Sequence, residues 1–161
     1  MTYQTSLDKT AIVITLATSV LFAVIIAGQY SVITATDSAL PIYTTVGLLL
    51  IYTLAFAFRP IAYVITPNEV IIRRLLTNIH IQRADIENIA AIDQTVMNGA
   101  IRTFGVGGLF GYYGGFANTS IGRMTWYATR KDKAVLLRTV NDKKIILTPD
   151  EPQRFINHLN S

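Results

Sequence analysis

The sequence predicts two membrane-spanning helices followed by a mainly β domain that closes on a C-terminal helix, an α+β chain overall. Three observations lead there. Residues 11–30 and 40–58 contain no Asp, Glu, Lys, Arg or His. From residue 61 onward, short runs of β-branched and aromatic residues alternate with turn-forming pairs. Near the end, Phe155, Ile156 and Leu159 recur at helical spacing and give one apolar face.

At about 1.5 Å per residue, each apolar run crosses most or all of a hydrocarbon core of roughly 30 Å. The first is longer than a signal-peptide core, and no small-residue cleavage pattern follows it, so it reads as a span. Lys9 precedes the first run and Arg59 closes the second, whereas residues 31–39 hold Asp37 and no Lys or Arg. The positive-inside rule then puts both termini in the cytoplasm, as in a multi-pass protein of the cell (inner) membrane. Asp37 or Ser38 is expected to cap the second helix, with Pro41 in its first turn. Ala23, Ala27, Gly28 and Gly47 are small residues of the kind that bring helices close, and Tyr30, Tyr43 and Tyr63 are expected near the interfaces. Without an ionisable group in either run, the pair reads as an anchor, not an ion or substrate path. The expected division is a hairpin over 1–58 and a cytoplasmic domain over 59–161.

The basic character belongs to that domain. Residues 1–58 carry one Lys/Arg against two Asp/Glu, and residues 59–161 carry 13 against 8, a net of +5. The chain has 0 cysteines, which excludes a disulfide framework, a thiolate nucleophile and a Cys-based zinc site.

Pro60 disfavours helical geometry at Arg59 and ends the second helix. Strands are expected over 61–66, 69–75 and 79–83, with turns at Pro67-Asn68 and Thr77-Asn78, and a fourth within 86–96. Residues 98–121 break the pattern with glycines and read as a loop. Three more strands follow over 123–129, 134–139 and 143–148, seven in all. In the first of these, Met124, Trp126 and Ala128 share one face, and Trp126 is expected in the core. Thr148, Pro149 and Glu151 fit a capping box that starts the last helix.

Seven strands and a closing helix resemble the pleckstrin-homology (PH-like) fold. The run Phe104-Gly105-Val106-Gly107-Gly108-Leu109-Phe110-Gly111-Tyr112, then Gly122-Arg123-Met124-Thr125-Trp126-Tyr127-Ala128-Thr129, is similar to the signature of a bacterial PH-domain family. The ending Ile145-Ile146-Leu147-Thr148-Pro149-Asp150-Glu151-Pro152 with Phe155 and Ile156 resembles that family's close. The resemblance implies two packed antiparallel sheets, a partly open barrel closed at one end by the helix, and a membrane context. It implies no enzymatic activity.

The glycine-rich run is not a nucleotide loop. After Gly105 and Gly107, a G-x-G-x-x-G pattern needs glycine where Phe110 stands, and no Gly-Lys-Ser/Thr follows. Two readings of Leu109, Phe110, Tyr112, Tyr113 and Phe116 stay open: rings covering one end of the barrel, or a surface touching lipid headgroups or a partner. Arg73 and Arg74, together with Arg130, Lys131 and Lys133, are candidates for contact with an anionic leaflet, and Lys143 and Lys144 form a third basic cluster. The turn after the first strand lacks the Lys/Arg that phosphoinositide-gripping PH domains place there, which leaves diffuse attraction to anionic lipid.

Neither His80 nor His158 has metal-ligand spacing to another ligand. Asp85 and Glu87 are spaced like one face of a strand, which is weak ground for acid–base work. No catalytic, metal or cofactor residues are expected, and no nucleic acid. The expected function is a membrane-anchored binding or scaffolding module whose partner is lipid headgroups, another membrane protein or a second copy. The alternative is a small accessory subunit of a membrane enzyme or transporter complex.

Overall fold

The computed structural model of the chain describes residues 1–35 and 39–161, so the expected cap at Asp37 or Ser38 lies outside the described residues. Two long helices, α1 (Lys9–Ala35) and α2 (Leu40–Ala57), run antiparallel and project from a β domain. Both are long and apolar enough to cross a membrane, with mean hydropathies of 2.5 and 1.8. Their side chains stay largely uncovered: Leu16, Val20, Val24 and Leu40 are each more than half exposed. Gly28 and Gly47 have open space where a Cβ would sit, so neither marks a close helix contact. The helices meet nearer the domain, through a 2.7 Å hydrogen bond between Ser19 Oγ and Tyr52 Oη and the rings of Phe22 and Tyr52.

Among the described residues, ten strands form two sheets that do not close into a barrel. The first orders β1 (Thr2–Gln4), β2 (Ala62–Ile65), β3 (Glu69–Arg73) and β4 (Ile79–Gln82), all antiparallel. The second contains β5 (Ile86–Ile92), β6 (Ile101–Gly108), β7 (Gly111–Asn118), β8 (Gly122–Ala128), β9 (Ala134–Thr139) and β10 (Lys144–Leu147). Its order is β5-β9-β10-β8-β7-β6, and β10 runs parallel to β8, a departure from the all-antiparallel expectation. A five-residue helix, α3 (Gln94–Asn98), is capped by Asp93, whose carboxylate accepts from the Thr95 amide. The chain ends in α4 (Pro152–Asn160).

The second sheet is buried on both faces at its centre, in β9 and β10, which is why those strands read as apolar runs. Val135, Leu137, Ile145 and Leu147 face the first sheet and the buried Phe155 and Leu159 of α4. Leu136, Ile146 and the expected face of Met124, Trp126 and Ala128 point the other way, where Met97 and Ala11 cover them. Trp126 is fully buried and stacked on Phe116, with centroids 4.0 Å apart.

Three strands exceed the expected seven. Residues 101–118 form a long hairpin, not a loop, because their glycines sit where backbones approach too closely for a side chain. A Cβ on Gly114 (φ 119°) would lie 2.5 Å from the Phe104 carbonyl oxygen, across the strand pair. The third addition is β1, which adds Tyr3 to the core beside Tyr63 and Phe155. Tyr63, expected near an interface, is fully buried instead.

The helix start also moves. Thr148 does not cap α4: Pro152 at the first helical position holds Glu151 in non-helical geometry (φ −118°, ψ 75°). Thr148 serves a buried polar knot. Tyr63 Oη donates to the Tyr127 carbonyl (2.6 Å) and accepts from the Thr148 amide (3.1 Å). Thr148 Oγ1 accepts from the Thr129 amide (3.0 Å), and Thr5 Oγ1 donates to the Thr148 carbonyl (2.7 Å). Both sheets and the segment leading into α1 are thus tied at one point. Burial pushes the Tyr63 phenol up, against the pull of its Thr148 bonds, and keeps the proton in place.

Candidate functional site

The chain enters and leaves the helices at one end of the domain, and that end gathers most of the candidate residues. Asp8 caps α1: its carboxylate accepts from the Ala11 amide (2.7 Å), from Tyr112 Oη (3.2 Å) and from the Lys131 amide (3.2 Å). At the exit, the Ile61 amide donates to the Arg73 carbonyl (2.8 Å) and the Leu75 amide to the Ala57 carbonyl (3.2 Å). The β6–β7 hairpin lies against both helices between these points. Gly108 has φ 131°, a conformation L side chains rarely adopt, and the side chain of Ile14 of α1 packs directly over it, its Cδ1 2.5 Å from where a Cβ would sit.

The aromatic candidates therefore meet the chain's own helices. Phe110 sits edge-on to Tyr52 (5.0 Å) and Phe56 (5.3 Å), and its amide donates to Thr15 Oγ1 (2.9 Å). Tyr113 Oη donates to the Ala55 carbonyl of α2, and burial pushes this phenol up, with Arg59 pulling it back. Phe110, Tyr112, Tyr113 and Phe116 are all buried, Phe116 beneath Trp126, and Leu109 at the tip is half-buried.

The two leading basic clusters lie at this end as well. Arg130 is held by Asp132, Nε–Oδ1 and Nη2–Oδ2 both at 2.7 Å, and by Asp150 at 2.9 Å. The Asp132 bond keeps the guanidinium strongly protonated, and Arg130 in turn holds the Asp132 carboxyl below the usual carboxylate range. Burial pushes Asp150 up, but the hydroxyl and amide of Ser6, with Arg130, outweigh it and leave its pKa lowered. Lys133 Nζ donates to the Asp150 carbonyl (2.8 Å), and Lys131 Nζ lies 5.0 Å above the Tyr112 ring. This cluster clasps the β8–β9 turn to the start of α1.

Arg73 is exposed at the end of β3. Arg74 donates through Nε and Nη2 to the carbonyl and hydroxyl of Thr77, and its guanidinium lies near the rings of Phe58 and Tyr127. Lys143 and Lys144 sit at the opposite end, around the β9–β10 turn. His80 and Asp85 lie apart from this end. His80 Nδ1 is 3.0 Å from the Glu69 carboxylate, a partner that strand pairing supplies, and Asp85 lies in a 3-10 turn while Glu87 lies on β5, so they do not share a strand face.

Sequence reasoning missed three features here. Leu75 and Leu76, each 59% exposed, follow Arg73 and Arg74 in the β3–β4 loop, beside the end of α2. Their place directly after a basic pair was the available signal. Phe104, on the outer strand of the second sheet, is 81% exposed. Between α2 and this sheet runs a groove of about 760 Å³, walled by Ile51, Leu54, Ala55 and Phe58 on one side. Phe104, Gly105, Val106, Tyr113, Gly114, Thr125 and Tyr127 form the other side, and Arg74 is its one charged residue among those described.

The sequence model of the family described as "Bacterial PH domain" matches residues 61–161. No curated protein and no solved structure matches the chain.

Proposed function

This chain belongs to the bacterial PH domain family, and from that membership we propose a binding or scaffolding module, without catalysis of its own, that works at the cytoplasmic surface of the cell membrane. In this reading the hairpin of 1–58 spans the bilayer with both termini inside, and the domain of 59–161 borrows β1 from across the hairpin. The family supports the binding role. The observation that carries the membrane placement is the joint between domain and helices. Asp8, Thr15, Ala55 and Ala57 of the hairpin region each hydrogen-bond the domain, leaving no free linker. A domain fixed in this way presents one face, with its exposed Leu75 and Leu76, to the layer into which the helices run.

The accessory-subunit reading draws on a different feature. Ile101 is 75% exposed on β6, an edge strand of the second sheet, and such an edge can take a strand from a partner. Crosslinking in native membranes with a C-terminally tagged full chain separates the two. One dominant stoichiometric partner favours the accessory subunit, whereas recovery of the chain alone or with lipid favours the autonomous module.

A further inference from the structure

We infer that the groove between α2 and the second sheet is a lateral binding site for a membrane phospholipid with an anionic headgroup, one acyl chain lying along the groove and the phosphate at Arg74. The inference rests on the membrane placement proposed above. One wall, through Leu54 and Phe58, is the last turns of a candidate span, so the groove opens where hydrocarbon gives way to headgroups. The opposite wall, with Phe104 and Val106, is apolar, and the volume of about 760 Å³ falls within the roughly 300–1,000 Å³ typical of ligand sites.

Charge then selects the occupant. Among the described residues no carboxylate lines the groove, and Arg74 is its one charged residue. Thr77 holds the guanidinium through Nε and Nη2, while Nη1 makes no hydrogen bond among the described residues and is left to donate to a phosphate oxygen. The side chain is thus positioned before the lipid arrives. A lipid entering sideways from the bilayer brings its chain already desolvated, which suits a groove reached from hydrocarbon better than one reached from water.

The test uses the full chain in mild detergent, mixed with phosphatidylglycerol or phosphatidylcholine of identical chains, with retained lipid counted by native mass spectrometry. One phosphatidylglycerol per chain is expected, preferred about fivefold, the effect of one arginine near an anionic lipid. Arg74→Gln should abolish the preference, Arg74→Lys should keep part of it, and Val106→Trp, which fills the groove, should reduce retention of both lipids. Should Val106→Trp misfold, Arg74→Gln carries the test, since its site is at the surface. Equal retention of the two lipids, a preference that survives Arg74→Gln, or a lipid-free dimer joined through the groove would overturn the inference. A probe on Leu76→Cys in vesicles separates the two levels of the argument. Shielded by lipid while no lipid is retained, it leaves the membrane placement standing and the groove site refuted; open to water, it removes both.

Discussion

Replacing Phe110 should loosen the domain from its helices, and glycine should be tolerated better than alanine. Phe110 is buried and meets two rings of α2 edge-on, Tyr52 at 5.0 Å and Phe56 at 5.3 Å. In water a buried Phe→Ala change costs about 3–5 kcal/mol. In the membrane placement proposed above, a Phe110 ring detached from α2 would meet lipid and not water, so most of the transfer term falls away and the aromatic contacts remain. At about 0.5–1.5 kcal/mol each, the two pairs give about 1–3 kcal/mol. The backbone adds a second effect, because Phe110 has φ 57°. The left-handed region costs a non-glycine residue about 1–2 kcal/mol, which Phe110→Ala retains and Phe110→Gly relieves. The greater freedom of glycine in the unfolded chain returns about 0.4–1 kcal/mol, so glycine should exceed alanine by about 1 kcal/mol or slightly less. Hydrogen exchange of the Phe110 amide in nanodiscs reads this directly, since that amide is bonded to Thr15. Protection should fall roughly 5- to 150-fold in Phe110→Ala, with fluorescence of the single tryptophan, Trp126, reporting an intact core. Unchanged protection in Phe110→Ala, or better protection there than in Phe110→Gly, would refute the reasoning.

Other positions make separate demands. Tyr63→Phe leaves the buried Thr148 amide without its acceptor and should cost about 1–3 kcal/mol in denaturant unfolding followed by Trp126. Gly114→Ala forces a Cβ onto the Phe104 carbonyl at positive φ and should cost at least about 2 kcal/mol. Gly47→Ala, with open space around it, should be neutral or stabilising by about 0.5–1 kcal/mol in thermal melts. Asp132 and Asp150 have lowered pKa values in the fold, so the clasp contributes fully above the unfolded carboxylate value of about 3.9 and is lost as pH falls through the lowered folded values. Melting temperature should therefore drop on acidification below about pH 4, and Asp150→Asn should flatten that drop; a profile identical to the wild type would remove the clasp from the account.

Much of the domain was legible because burial imposes a simple period. The alternation of Met124, Trp126 and Ala128 placed one face of β8 in the core, and the helical spacing of Phe155 and Leu159 seated α4. The two apolar runs announced α1 and α2 by length alone. What escaped depends on contacts between distant segments. Glycine is depleted in strands, so residues 101–118 looked like a loop; only the approach of Gly108 to Ile14 and of Gly114 to Phe104 explains a glycine-rich hairpin. Three residues are too few for a strand signal, which hid β1 until Tyr63 and Phe155 gave Tyr3 a core to join. Thr148 satisfied the local rule for a cap, and a tertiary partner, the Thr129 amide, took its hydroxyl instead. The groove was invisible for the same reason, since its walls come from α2 on one side and from β6, β7 and β8, distant in sequence, on the other.

The placement of the domain against the bilayer is tested most directly by a depth profile. With 0 native cysteines, Leu76→Cys and Asn141→Cys can each carry one nitroxide in the full chain, reconstituted in vesicles containing phosphatidylglycerol. Leu76 lies beside the end of α2, and Asn141 follows β9 at the far end of the domain. Power saturation should find the Leu76 probe at the boundary of headgroups and acyl chains, open to oxygen and shielded from a water-soluble relaxant, with the Asn141 probe in water. Equal exposure of both probes to the water-soluble relaxant would contradict the placement.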